Sequence, residues 1–136
     1  MIDTAKQAEL LERAVEARDR SYSPYSHYAV GAALLTKDGR IYQGCNIENA
    51  SYTPTICAER TAFFKAVFDG VREFEAIAII GSGDSPAFPC GVCRQVMAEF
   101  CEPSFCIITA NRDRSEVVVS PLSDMLPHSF GPRDLL

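Results

Sequence analysis

The sequence predicts an α/β fold: a three-layer α/β/α sandwich around a mixed five-stranded sheet. Three observations lead there. Helix-period and strand-period segments alternate in the order α-β-β-α-β-α-β-β along the 136 residues. Residues 74–80 form an apolar run with one early charge, Glu75, as expected of a central strand covered on both faces. An Asp38-Gly39 pair between two apolar runs signals an antiparallel hairpin. A mixed sheet with helices on both faces is the economical way to bury the stripes of such an order.

The elements follow in turn. Residues 4–20 read as an amphipathic helix, with Ala8, Leu11, Val15 and Arg18 on one side and Asp3 or Thr4 capping its start. Pro24, within Ser21-Tyr22-Ser23-Pro24-Tyr25-Ser26, cannot continue a helix, so this stretch is a turn. Residues 27–36 read as a strand with Tyr28, Val30 and Leu34 as candidates for burial, and residues 41–47 as its return. If that strand runs on, Asn46 and Glu48 face the same way, being two apart. Residues 49–55 are loop, and residues 57–68 are a helix with Gly70 past its end. After the apolar run come a loop at 81–86, a helix at 91–101 closed by Pro103, and a strand at 105–109. A charged turn, a short strand at 116–119, a helical turn at 121–126 and a tail carrying Phe130 complete the chain. No repeat or linker divides it, so residues 1–136 are expected to form a single domain.

Composition narrows the function classes. A 47% hydrophobic and 23% charged chain is ordinary for a soluble globular protein, and at this length it can bury a real core. A net charge of −5 argues against nucleic acid as a partner, because phosphate backbones are bound by clustered Lys and Arg. No apolar run approaches the ~18 residues of a membrane span. Residues 1–21 carry charges throughout, with no apolar core of a signal peptide, so a cytoplasmic location is expected. There the six cysteines are thiols or ligands rather than disulfides.

Chemistry concentrates in two clusters. Cys90 and Cys93 form a Cys-x-x-Cys, by itself ambiguous among zinc knuckle, redox pair and chance. A third cysteine, Cys57, lies 33 residues earlier at the start of another expected helix. The helix, strand and loop between them are enough chain to return to the same end of the sheet, where open α/β sheets place their sites. Three thiolates suit zinc, and three protein ligands leave a fourth position for water, the catalytic arrangement. Zinc with three thiolates carries a net charge of about −1, which weakens its acidification of water. Two helix N-termini, together with Arg60 reaching back to the thiolates, offset that charge. Glu59, two residues after Cys57, does not share its helix face. It therefore need not bind the metal, yet stays close enough to take a proton from water and pass it to a substrate nitrogen.

Plainer readings stand beside these. The three cysteines are a buried trio or a structural zinc with a fourth ligand; Glu59 is a helix-start carboxylate; Arg60 is a solvated charge. Cys45, Cys101 and Cys106 lack motif spacing and are expected to be core thiols, and His27 and His128 have no ligand spacing.

The pattern of three cysteines, a non-ligand Glu and Pro-Cys-x-x-Cys matches the zinc-deaminase signature. Cys45-Asn46-Ile47-Glu48-Asn49-Ala50, Cys57-Ala58-Glu59-Arg60-Thr61-Ala62 and Pro89-Cys90-Gly91-Val92-Cys93-Arg94-Gln95-Val96 resemble the small cytidine deaminases of pyrimidine salvage. Ser23-Pro24-Tyr25-Ser26, Val30-Gly31-Ala32-Ala33-Leu34, Leu126-Pro127 and Ser129-Phe130-Gly131-Pro132 extend the likeness over nearly the whole chain. The resemblance implies one Zn2+ per chain on Cys57, Cys90 and Cys93, and hydrolysis of cytidine and deoxycytidine to uridine and deoxyuridine with release of ammonia. It implies Glu59 as the proton shuttle, Asn46 and Glu48 on the ribose hydroxyls, and backbone groups around Ala58 reading the base. It also implies a homotetramer with shared sites, in which Tyr52 and Phe130 reach a neighbour's pocket.

Three positions depart from the family pattern. Tyr28 stands where Phe usually stacks on the pyrimidine, Phe88 where a small Ser is common, and Val92 where Ala is common. Other readings are a deaminase of bases within a polynucleotide, a deaminase of a nucleoside-like antibiotic, and a non-catalytic structural zinc module. The acidic balance opposes the first, the Asn46/Glu48 pair the second. The third leaves Asn46, Glu48 and Glu59 without a role.

Overall fold

A computed structural model describes residues 2–136. Helix α1 (Thr4–Arg18) begins at Asp3, whose carboxylate accepts from the Lys6 backbone N–H and so caps the first turn. Strands β1 (Val30–Thr36) and β2 (Ile41–Cys45) form the hairpin expected around Asp38-Gly39. Helix α2 (Ala58–Phe68), strand β3 (Phe74–Gly81), helix α3 (Gly91–Phe100), and strands β4 (Cys106–Ala110) and β5 (Val117–Pro121) follow. A short helix α4 (Leu122–Met125) and a 3-10 turn at Pro132–Asp134 end the chain. The five-stranded sheet has the order β2-β1-β3-β4-β5. β3 and β4 run parallel and the other neighbours antiparallel, which makes the sheet mixed, as the sequence predicts.

Period-two alternation divides the strands between two apolar layers. Ala33, Leu35, Ala76, Ala78, Ile80, Ile108 and Ala110 pack with Leu10, Leu11 and Ala14 of α1. Ala32, Leu34, Ile77, Ile79 and Ile107 pack on the other face with α2 and α3. Phe63 of α2 lies edge-on to Phe74 at 5.0 Å and stacks near Phe100 of α3 at 6.5 Å, tying the two helices together. Two glycines let the helices come close. A Cβ on Gly31 would meet the Ala14 carbonyl oxygen of α1 at 2.0 Å, and one on Gly44 the Ala58 carbonyl oxygen of α2 at 2.3 Å. The second contact seats the first turn of α2 directly on the sheet.

Several expectations shift. The buried stripe of α1 is Leu10, Leu11, Ala14 and Ala17, while Ala8 is exposed and Val15 and Arg18 are half-buried. The helix is turned this way because its backbone at Ala14 and Arg18 lies directly against Gly31. β1 starts at Val30, not at residue 27, because His27 takes a left-handed φ of 58° that closes the Ser23–His27 turn. Tyr28 therefore lies before the strand. β2 ends at Cys45, and beyond it Ile47 makes isolated bridges to Tyr22 and Ile56. Cys106 is buried and Cys101 packs at the edge of the α2/α3 layer. Cys45 is not a core thiol: it is half-buried, and its thiol donates to the Arg20 carbonyl at 3.3 Å.

Candidate metal centre and active site

Cys57 is the N-cap of α2 and Cys90 the N-cap of α3, and neither side chain makes a capping bond to its helix backbone. Both sulfurs are thus left for other partners while the first-turn N–H groups of two helices point toward them. Cys93, in the first turn of α3, is buried beneath them. The three Sγ atoms lie within 4.8 Å of one another, and Cys57 and Cys90 are 3.8 Å apart. A tetrahedral zinc with Zn–S bonds of about 2.3 Å separates its sulfurs by about 3.8 Å, so the donor set fits the ion in chemistry and in spacing. Among the described residues, no fourth His, Cys, Asp or Glu joins the group.

Charge is balanced locally. An Arg60 guanidinium nitrogen donates to Cys57 Sγ at 3.3 Å. The Cys93 thiol, then Arg60, pull the Cys57 thiol down to about 5. Glu59 is only 4% exposed yet lines the cavity beside the cluster. Burial, reinforced by the charge on Cys57, pushes its carboxyl up to about 7. A carboxyl so placed holds or yields a proton near neutrality. Arg94 fixes the approach to Cys90 by donating to the Pro89 carbonyl at 2.7 Å and to the Met125 carbonyl of α4.

The cavity measures about 230 Å³. Its lining joins Glu59, Cys57, Cys90 and Ala58, from the cysteine cluster and the first turn of α2, to Asn46, Glu48 and Ser26, with Tyr28, Phe88, Val30 and Ile79 also in its wall. An adjoining cavity of about 320 Å³ shares Ser26, Glu48 and Thr55 and adds Tyr25 and Tyr52.

Asn46 and Glu48 do turn the same way, onto the 21–30 segment. Asn46 Oδ1 accepts from the Val30 N–H at 2.9 Å and from the Ser21 hydroxyl, and its Nδ2 donates to the Tyr28 carbonyl at 2.8 Å. Glu48 accepts from the N–H groups of Tyr25 and Ser26 at 2.9 and 3.1 Å and from the Ser26 hydroxyl. The Ser26 hydroxyl bond, first among these, holds its carboxyl below the usual range. Asn46 keeps one N–H unspent, and Glu48 keeps lone pairs.

Residues 4–109 match the family model for the cytidine and deoxycytidylate deaminase zinc-binding region. The chain belongs to this deaminase family. A cytidine deaminase of Sporosarcina psychrophila is 49% identical over 126 residues, covering 93% of this chain and 92% of that protein. The crystal structure of a cytidine deaminase from Burkholderia pseudomallei superposes with a TM-score of 0.87 at 47% identity, covering 90% of this chain and 98% of that one. At greater distance, a blasticidin-S deaminase of Bacillus cereus is 30% identical over 130 residues, 90% of either chain. The cysteine cluster and the family together make this a zinc-binding deaminase domain.

Of the residues singled out in the sequence, Tyr28, Asn46, Glu48, Cys57, Ala58, Glu59 and Cys90 meet in one cavity, with Cys93 and Arg60 on its cysteine cluster. Tyr52 lies only in the adjoining cavity, at a left-handed φ of 66° and 72% exposed. Phe130, 59% exposed, lines neither cavity, and its carbonyl accepts from Gln95 of α3 at 2.8 Å. Ser26, Thr55 and Arg94 had no assigned role in the sequence. Ser26 and Arg94 fall within the motifs of the resemblance, but what each of them bonds becomes visible only in the folded chain.

Proposed function

We propose that this protein hydrolyses the exocyclic amine of cytidine and deoxycytidine, giving the uridine nucleosides and ammonia. The observation that carries the reading is one cavity lined by two unlike groups: a buried carboxyl beside a cluster of three cysteine sulfurs, and an amide and a carboxylate that can still bind hydroxyls. Cys57, Cys90 and Cys93 would hold zinc, which when bound supplies Lewis acidity and an activated water for attack on an amidine carbon.

The chain's own residues do the rest. Glu59 takes a proton from water, delivers it to the ring nitrogen, and then carries one to the departing amine; its burial favours a carboxyl that can hold a proton between the two transfers. Arg60 and the two helix N-termini balance thiolate charge. Tyr28 flanks the base, and backbone groups around Ala58 read its edge. The remaining Asn46 N–H and the Glu48 carboxylate take the ribose hydroxyls, which selects a true sugar.

The substrate is a free nucleoside, not a nucleotide or polynucleotide. Neither cavity is lined by Lys or Arg, and both are lined by Glu48, which repels phosphate. Exposed Phe68 (90%) and Phe64, one turn apart on α2, support a homotetramer in which Tyr52 and Phe130 complete a neighbour's site. A cytosolic setting accords with six free cysteines. Among the described residues, no helix is long and apolar enough to cross a membrane.

The test is turnover of cytidine, deoxycytidine, deoxycytidine 5′-phosphate and blasticidin S, followed by absorbance. The two nucleosides should be converted, with the phosphate and the antibiotic at least about 100-fold poorer in kcat/KM. Preference for the antibiotic or the phosphate overturns the assignment.

A further inference from the structure

We infer that Gly81 is a positioning residue for Tyr28, and through it a determinant of how tightly the base is held. The inference rests on reading the cavity as the nucleoside pocket. Gly39 and Gly70 have φ of 93° and 90°, which side chains rarely adopt, and Gly31 and Gly44 yield to helix backbones. Gly81 has neither reason. Its φ lies outside the left-handed region, and it pairs with Val30 at the end of β3. What fills the space of its missing Cβ is Tyr28: a Cβ there would lie 2.2 Å from Oη, 2.8 Å from Cζ and 3.1 Å from the Ala87 Cβ. Two residues on, a Cβ at Gly83 would lie 3.2 Å from Tyr28 Cε1. The ring tip thus occupies a slot walled by Gly81 and Gly83.

Neither side of the slot is free to give way. The Gly81 carbonyl accepts from Arg18 at 2.9 Å, and the Gly83 carbonyl from the Arg112 N–H at 3.0 Å. The Tyr28 N–H donates to Ser26 Oγ at 3.0 Å, and its carbonyl accepts from Asn46. The next residue is tied to the loop itself, the Ala29 N–H donating to Ser82 Oγ at 3.0 Å. A side chain at position 81 must therefore tip the ring out of its slot and into the cavity it lines with Glu59 and Val30. The glycine at 81 is what leaves room for the Tyr28 hydroxyl.

Four proteins test this: wild type, Gly81→Ala, Tyr28→Phe, and the pair combined. Each is measured for cytidine kcat and KM, for uridine affinity by calorimetry, and for Tm. Gly81→Ala should raise KM and the uridine Kd about 5- to 20-fold, with kcat within about 3-fold and Tm within a few degrees. Tyr28→Phe is the reference for the pair: adding Gly81→Ala to it should cost clearly less affinity than adding Gly81→Ala to wild type, because the 2.2 Å contact with the hydroxyl is gone while the 2.8 Å contact with Cζ remains, and residues in contact couple. An active wild type in which Gly81→Ala leaves affinity unchanged, or loses equally with and without Tyr28→Phe, overturns the inference alone. A wild type that neither converts cytidine nor binds uridine overturns the substrate reading, and the inference with it.

Discussion

The two groups that line the cavity, the cysteine end and the Asn46/Glu48 end, are built by different means. The cysteine end rests on regular structure: two helix N-caps, one buried first-turn thiol and one first-turn carboxyl, seated by Gly44 and the Phe63 contacts. The Asn46/Glu48 end rests on irregular backbone past the last residue of β2, held by side-chain bonds to a turn some 20 residues away. The first has one workable geometry, since removing a ligand removes the site. The second is a mesh of separate hydrogen bonds, each contributing part. Loss should therefore be abrupt at one end and graded at the other.

The largest effect is expected at the cysteine end. Cys93→Ala should drop zinc content, measured by atomic absorption, from about one per chain to well under half, with cytidine turnover lost. Full zinc in that variant would mean that another ligand completes the site, and the contrast between the ends would break. Next comes Asn46→Ala, which strips partners from the Val30 N–H and the Tyr28 carbonyl. It should cost about 1–3 kcal/mol in urea unfolding and raise the cytidine KM, with zinc retained. The smallest is Ser26→Ala, which removes the hydroxyl that donates to Glu48 and accepts from the exposed Tyr28 N–H, while leaving two backbone donors on that carboxylate. A KM rise of about 2- to 5-fold with unchanged kcat is expected. A larger loss for Ser26→Ala than for Asn46→Ala would reverse the order that the hydrogen-bond mesh predicts.

The same contrast explains what the sequence made legible. Layer order, hairpin and central strand were readable because they are written in short-range periodicity, and so were the paired helix starts at Cys57 and Cys90. The α1 stripe was misread by part of a turn because the decisive fact, the fit of Ala14 against Gly31, lies on another element. Tyr28 was expected inside a strand because nothing local announces the left-handed turn at His27. Asn46 and Glu48 were picked out only through resemblance, and their bonds to Ser21, Tyr25, Ser26, Tyr28 and Val30 belong to the folded chain. Lack of motif spacing makes Cys45 read as a core thiol, but it sits where β2 leaves the sheet.

The central claim is that metal binding and proton transfer are separate parts of one site, carried by Cys57, Cys90 and Cys93 on one hand and Glu59 on the other. The most direct measurement is zinc content and cytidine turnover on the same sample of Glu59→Gln. The account predicts about one zinc per chain, as in wild type, with kcat lowered by about 10²–10⁴-fold. Loss of zinc together with activity would make Glu59 part of the metal site, and near-normal turnover with zinc intact would remove it from the chemistry; either result contradicts the account.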